Sequence, residues 1–336
     1  MNTHRKAVSL GAAGLALCMC VTLGACEGQL PEPVQATASA SASPNLTTEQ
    51  EKAIRKQLLD AIEQCNNAKS ADGLDRAMAG PELEIRRSEL AVAQKTGNLD
   101  PKTEIPDAIT QTIIPTDSGW PRSVFTITTT TQDQQSKRLL VFDQESARQN
   151  YKLWGVARLF QGVQMPKFTV PQIGAQMGTD NDDNLKMTPK EAVKRYADVL
   201  QNGDKSQYAG DFDNDYLRQE LATLSQTVQQ GMERNKGTQT QTFEPVDGQM
   251  RIMRAADGGD LVVAQINSVW TRAAGEGRES QPASDSEKAL FGDAKATSTM
   301  RVTYVNVVAL YIPSAKANAK ITAVGAERQP VKVEAI

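Results

Sequence analysis

Two stretches of this 336-residue chain begin alike and are followed by the same succession of patterns. "EKAIRK" (51–56) and "KEAVKR" (190–195) each open a helical stripe, and after each comes a second helical segment, then β-branched and aromatic runs. Helices first and a meandering antiparallel sheet second, twice over, point to an α+β architecture with helices covering one face of a curved sheet.

In the first half, Thr48 and Glu51 read as a capping box, and Ile54, Leu58, Ile62 and Cys65 recur at i, i+4, i+8 and i+11. Cys65 lies on this apolar stripe and reads as a small buried hydrophobe. Pro81 opens a second, more mixed helix that runs to about Lys95. "AITQTIIPT", "SVFTITTTT", "KRLLVFDQ" and "YKLWGVARLF" then read as four strands, the Thr run 126–131 having one wet face. "TVPQIGAQMGTDNDDN" (169–184), rich in Pro, Gly and Asp, is the expected linker.

In the second half, Thr188, Pro189 and Glu191 supply an N-cap, a proline at N1 and an acid at N3. Val193, Tyr196 and Leu200 share one face of that helix. A further helix from about Asn214, capped by Asp213 or Asn214, carries Leu217, Leu221, Leu224 and Val228. Four long strand-like runs follow. Between the second and third lies a polar insertion, 273–297, too long for a simple turn and placed to meet a partner.

The N-terminus reads as an export signal: Arg5 and Lys6 precede the uncharged apolar run "AVSLGAAGLALCMCVT" (7–22). The run ends in Leu23, Gly24, Ala25 and Cys26, which resembles the bacterial lipobox. The resemblance implies cleavage between Ala25 and Cys26 and diacylglyceryl attachment to Cys26. A metal site made of Cys18, Cys20 and Cys26 has no support, because the first two sit in the apolar run without acid or imidazole neighbours. The expected organisation is a signal peptide (1–25), a lipidated Cys26 with an Ala/Ser/Pro tether (26–46), an α+β domain (47–168), a linker (169–187) and a second α+β domain (188–336). The tether's twenty or so residues span roughly 25 Å. The expected location is the extracytoplasmic face of the cell membrane, with the lipid bilayer as partner through acylated Cys26.

The order of elements resembles two tandem NTF2-like units, cones of helices packed on a curved antiparallel sheet. "SGWPRSVFTIT", "LLVFDQESARQNYKLWGVARLFQGVQMPKF" and "LKMTPKEAVKRYADVL" are similar to an uncharacterised actinobacterial lipoprotein family, which implies a location and an architecture but no catalytic residues.

Cleavage before Cys26 removes His4, the one histidine, so nucleophile–histidine pairs and His-based zinc sites are excluded from the mature chain. It leaves Cys65 without an intrachain disulfide partner. The 37 basic and 40 acidic residues become 35 and 40, a charge of −5 that argues against nucleic acid. "DNDDNLKMTPKE" (180–191) approaches a calcium loop but has Leu185 where the turn needs Gly, and "DFDNDY" (211–216) lacks the distal Glu. No metal or cofactor is expected, and no catalytic residue is assigned. Asp143 with Tyr151 or Trp154 is the pair to examine in the first unit, while Tyr196, Trp270 and Tyr304 read as core aromatics of the second. The expected function is non-catalytic binding or scaffolding at the envelope, with a protein of the envelope as partner. A carrier or sensor holding a small hydrophobic ligand in a cone pocket is the alternative, and a carboxylate-dependent enzyme the third reading.

Overall fold

Residues 42–131 and 136–336 are described by the computed structural model; the signal-like segment, the Ala25–Cys26 junction and most of the tether lie outside the described residues. Helix α1 (Thr48–Ala68) starts one residue before the expected box. Thr47 is the N-cap, its hydroxyl accepting the Gln50 N–H while the Gln50 side chain accepts the Thr47 N–H. This frees Glu51 from capping. It turns inward, pairs with Arg55 and accepts a hydrogen bond from Thr126. Cys65, expected inside, is half-buried at the margin of the core.

After α1 come α2 (Gly80–Thr96), β1 (Ile109–Ile113), β2 (Arg122–Thr128), β3 (Arg138–Gln144) and β4 (Lys152–Leu159). The second series is α3 (Pro189–Asn202), α4 (Tyr216–Glu233), β5 (Thr238–Arg254), β6 (Asp260–Ala273), α5 (Asp285–Phe291), β7 (Thr299–Ile312) and β8 (Thr322–Ala335). Thr188 caps α3, as its position before Pro189 predicts. Asp215, not Asp213 or Asn214, caps α4, with its carboxylate on the Arg218 N–H. Asp213 instead accepts from the Thr322 hydroxyl, which holds the preceding turn on β8. The Thr run also differs from expectation. Thr126 and Thr128 are buried: Thr126 meets Glu51 of α1 and the Thr112 hydroxyl, and Thr128 accepts the Arg138 N–H.

The eight strands form one curled antiparallel sheet in the order β1-β2-β3-β4-β8-β7-β6-β5, so the fold is mixed α+β. Alternation along the strands sends side chains to two sides. Leu140 and Phe142 of β3 join Leu58 and Ile62 of α1 in one cluster, and Val262, Ala264 and Ile266 of β6 join Val193 and Tyr196 of α3 in another. The intervening positions, Phe125, Leu139, Val141 and Trp154 of the first series, meet Leu261, Val263, Val305 and Val307 of the second. The sheet therefore folds over on itself, with helices outside and a β-on-β core within. Gly155 sits in that core. A Cβ there would lie 3.6 Å from Val307, which is ordinary van der Waals contact.

β4 and β8 join through only two residue pairs, Arg158 with Ala326 and Leu159 with Gly325. The backbones are so close that a Cβ on Gly325 would lie 2.6 Å from the Arg158 carbonyl oxygen, so this seam requires glycine. Beyond the seam the strands part, and α2 packs between β4 on one side and β8 with α5 on the other. The wedge is charged. Arg86 lies between Glu82 (3.7 Å) and Glu89 (3.1 Å), and Glu327 on β8 pairs with Arg158 (2.7 Å) and Lys102 (3.5 Å). Arg86 also donates to Asn66 Oδ1 and the Thr103 carbonyl. Its Nε is near Glu89 but not aligned for a hydrogen bond, so that contact is an ion pair alone.

The insertion between β6 and β7 has a folded centre. Glu287 of α5 is buried, accepts from Nη1 and Nη2 of Arg272, and accepts from the Tyr304 hydroxyl (2.9 Å) and the Ala283 N–H (2.7 Å). The segments flanking α5 are mostly exposed.

Candidate functional site

β5 does not pair evenly with β6: from Pro245 to Met250 it advances five residues while its partner advances two, from Ile266 to Ala264. Residues 246–249 therefore bulge out of the ladder. Pro245, with no N–H to give, fits the start of the bulge, and Gly248 (φ +73°) fits its turn. The bulge forms one wall of an open cleft of about 680 Å³. The turn after β1, the segment 177–180, the start of α3 and Gln265 of β6 form the rest.

The back of this cleft is Arg251. Its Nη2 donates to Asp143 Oδ2 (2.8 Å) and Glu145 Oε1 (3.2 Å), and its Nη1 to the carbonyls of Gly248 (3.2 Å) and Met250 (2.9 Å). Ser123 donates to the other Asp143 oxygen at 2.7 Å. The Arg251 guanidinium lies 4.7 Å over the Trp154 ring, whose Nε1 donates to Gln249 Oε1 (3.1 Å). Charge, hydrogen bonds and a π-face thus converge from β2, β3, β4 and β5. Burial raises the Glu145 carboxyl above its usual range, and the adjacent Asp143 adds to the effect while Arg251 opposes it.

Asp143 and Trp154 are thus brought together, both facing the inter-sheet core, with Arg251 between them. Tyr151 is not part of this group. It packs in the cluster under α1 and α2, where burial raises its hydroxyl to about 12. Tyr196 and Trp270 are core aromatics, and Tyr304 is buried with its hydroxyl on Glu287. Sequence reasoning missed Arg251 and Gln249 because each lies in a strand-like run where a polar residue reads as facing water.

At the rim, the turn 117–121 is tied down. The Asp117 carboxylate accepts the Met177 N–H (2.7 Å), and Asn45 donates to the Asp117 carbonyl (2.7 Å). Arg122 stacks 4.1 Å over Trp120 and donates to the Ser118 and Gly119 carbonyls, leaving Trp120 39% exposed at the cleft. Lys190 and Asp247 also line it, and neither side chain has an ion-pair partner among the described residues.

Of the two acidic clusters, Asp180 lines the cleft and other acids are held in ion pairs. Asp182 pairs with Arg254, which also holds the fully buried Asp260. Desolvation raises Asp260 to about 6 against the opposing pull of Arg254. Asp211 pairs with Arg195 at 2.9 Å. Among the described residues no group of three or more His, Cys, Asp or Glu side chains is disposed to hold a metal ion, and no helix is long and apolar enough to cross a membrane.

Residues 42–331 match a family model described as a domain of unknown function (DUF8094). Comparison with curated proteins and with solved structures gives no match.

Proposed function

The chain belongs to the DUF8094 family over most of its length, and from that premise we propose an extracytoplasmic lipoprotein, held by acylated Cys26, that works by non-catalytic binding at the cell envelope. The observation that carries the binding reading is the cleft under the β5 bulge. Its volume is in the range of small-molecule sites, its rim offers an exposed indole, and the arginine of its polar back wall is held by two carboxylates and two carbonyls. Arg251 holds both Asp143 and Glu145, so the wall is a braced polar surface against which a ligand can be positioned. The helix–helix–sheet order of each half supports two fused NTF2-like units with the cleft near their join. The exposed arms around α5 favour contact with an envelope protein, the anchored α5 keeping them in place.

Two experiments test this reading. Cys26→Ala is expected to remove the acyl mass and move the protein out of the membrane fraction; unchanged partitioning refutes the anchor. Thr179→Trp fills the cleft mouth at an exposed lining residue. Native mass spectrometry of protein extracted from membranes is expected to show a bound small molecule in the wild type that is absent from this variant. Identical spectra refute a ligand in the cleft.

A further inference from the structure

A second hollow of about 660 Å³ lies on the other side of the β4–β8 seam, between the end of β4, the first turn of α4 and β8. It shares no lining residue with the cleft described above. An adjoining hollow of about 610 Å³ continues it past Phe160 and Val163, so together they make an elongated groove. Phe160 and Tyr216 form an aromatic ridge along it, ring centroids 6.0 Å apart, and Tyr216 is 62% exposed.

The groove contains a cation with unmet donors. Arg328 of β8 lines it, with its guanidinium 3.4 Å over the Tyr304 ring. Its Nε and Nη2 are buried and have no hydrogen-bond partner among the described residues. Buried polar groups are nearly always paired, so two orphaned guanidinium nitrogens beside an open groove need an acceptor. Among the described residues no acceptor is aligned with those two nitrogens: Tyr304 lies beneath the guanidinium and favours its charge, Glu220 and Glu287 act through space, and Glu287 is committed to Arg272 and Tyr304. Burial lowers the Arg328 pKa against the opposing pull of Tyr304, Glu220 and Glu287. Asp215 and Glu220 line the same groove; Asp215 caps α4, and burial holds its carboxyl above the usual range. Arg158 adds a second cation at the rim, its Nε paired with Glu327 at 2.7 Å.

We propose that this groove binds an amphiphilic anion, a carboxylate or phosphate ester carrying an alkyl chain, with the headgroup on the Arg328 guanidinium and the chain along Phe160 and Tyr216. A forked guanidinium suits either headgroup, and the aromatic ridge favours an apolar tail over a bare ion.

The test is isothermal titration of the full chain carrying Cys26→Ala, which keeps the protein's own acyl groups out of the measurement. The probes are decanoate, decyl phosphate, 1-decanol and inorganic phosphate, each below its micellar range. One or both amphiphilic anions are expected to bind at a single site, and Arg328→Gln to weaken that binding by about ten-fold or more, the cost of losing a charge-assisted hydrogen bond. Tyr216→Ala, at an exposed position that leaves the core intact, is expected to weaken it several-fold and keeps the proposal testable if Arg328→Gln does not fold. Preference between decanoate and decyl phosphate identifies the headgroup. No binding of either anion, equal binding of 1-decanol, or binding unmoved by both substitutions overturns the proposal. Inorganic phosphate binding as tightly as decyl phosphate overturns the amphiphile. None of these outcomes bears on the cleft, because the two sites share no residue.

Discussion

Arg86→Met is expected to destabilise the protein by about 3–5 kcal/mol at pH 8, because it leaves buried carboxylates without their cation. Glu82 and Arg86 are each only 2% exposed, and Glu89 is buried beside them. Desolvation already holds Glu82 at about 8, well above the ordinary glutamate value, with Arg86 opposing that rise. The sign of the pH dependence follows. A carboxyl whose folded pKa is raised binds its proton more tightly when folded than when unfolded. Its contribution to stability is therefore complete below about pH 4.5 and is lost as pH rises through about 8. Glu82→Gln removes that dependence and should be more stable than wild type at pH 8, with little difference at pH 5. Urea midpoints at the two pH values measure both effects. A wild type and Glu82→Gln pair whose difference does not change with pH would show that Glu82 stays ionised in the fold.

The second large effect is at Arg251. Arg251→Met should cost about 3–5 kcal/mol by stranding Asp143, which is 4% exposed and, among the described residues, retains the Ser123 hydroxyl as its side-chain donor. It also releases the Gly248 and Met250 carbonyls that fix the β5 bulge. Adding Asp143→Leu should recover most of the loss, since replacing both members of a buried pair by apolar groups removes the stranded charge. Guanidinium denaturation of the two single variants and the double measures the coupling. A loss below about 1 kcal/mol for Arg251→Met would mean that water reaches the pair and that it behaves as a surface bridge.

The parts of this fold legible in the sequence are those set by neighbours in the chain. The stripe of α1, the Thr188–Pro189 start of α3 and the strand-like runs of both halves all depend on local spacing, and each appears close to its expected place. The α4 cap was harder to read because Asp213, Asn214 and Asp215 are all capping residues in succession, and Thr322 on β8 decides which one is free to cap. The α2 wedge was not legible at all. Glu82, Arg86 and Glu89 recur at i, i+4 and i+7, which reads as a water-facing stripe. They are buried because β8 arrives from far along the chain: Ser88 donates to the carbonyl of Pro330, 242 residues away. The cleft was half legible. Asp143 and Trp154 stand out by residue type, but what joins them is an arginine on a bulge whose position depends on pairing with β6.

The charged wedge also bears on how the molecule is made. The first half leaves the ribosome well before β8 exists. In that interval the surface of α2 that will meet β8 presents ion-pairing groups to water, and water solvates them at no cost. An apolar helix face in the same position would be an adhesive surface waiting for its partner, the kind of exposure that leads to misassembly in long chains. Closing the seam desolvates those charges, a cost offset by pairs such as Glu327 with Arg158 and Lys102. The wedge thus favours solubility of the unfinished chain and penalises a wrong strand at the gap, at the expense of stability in the finished one.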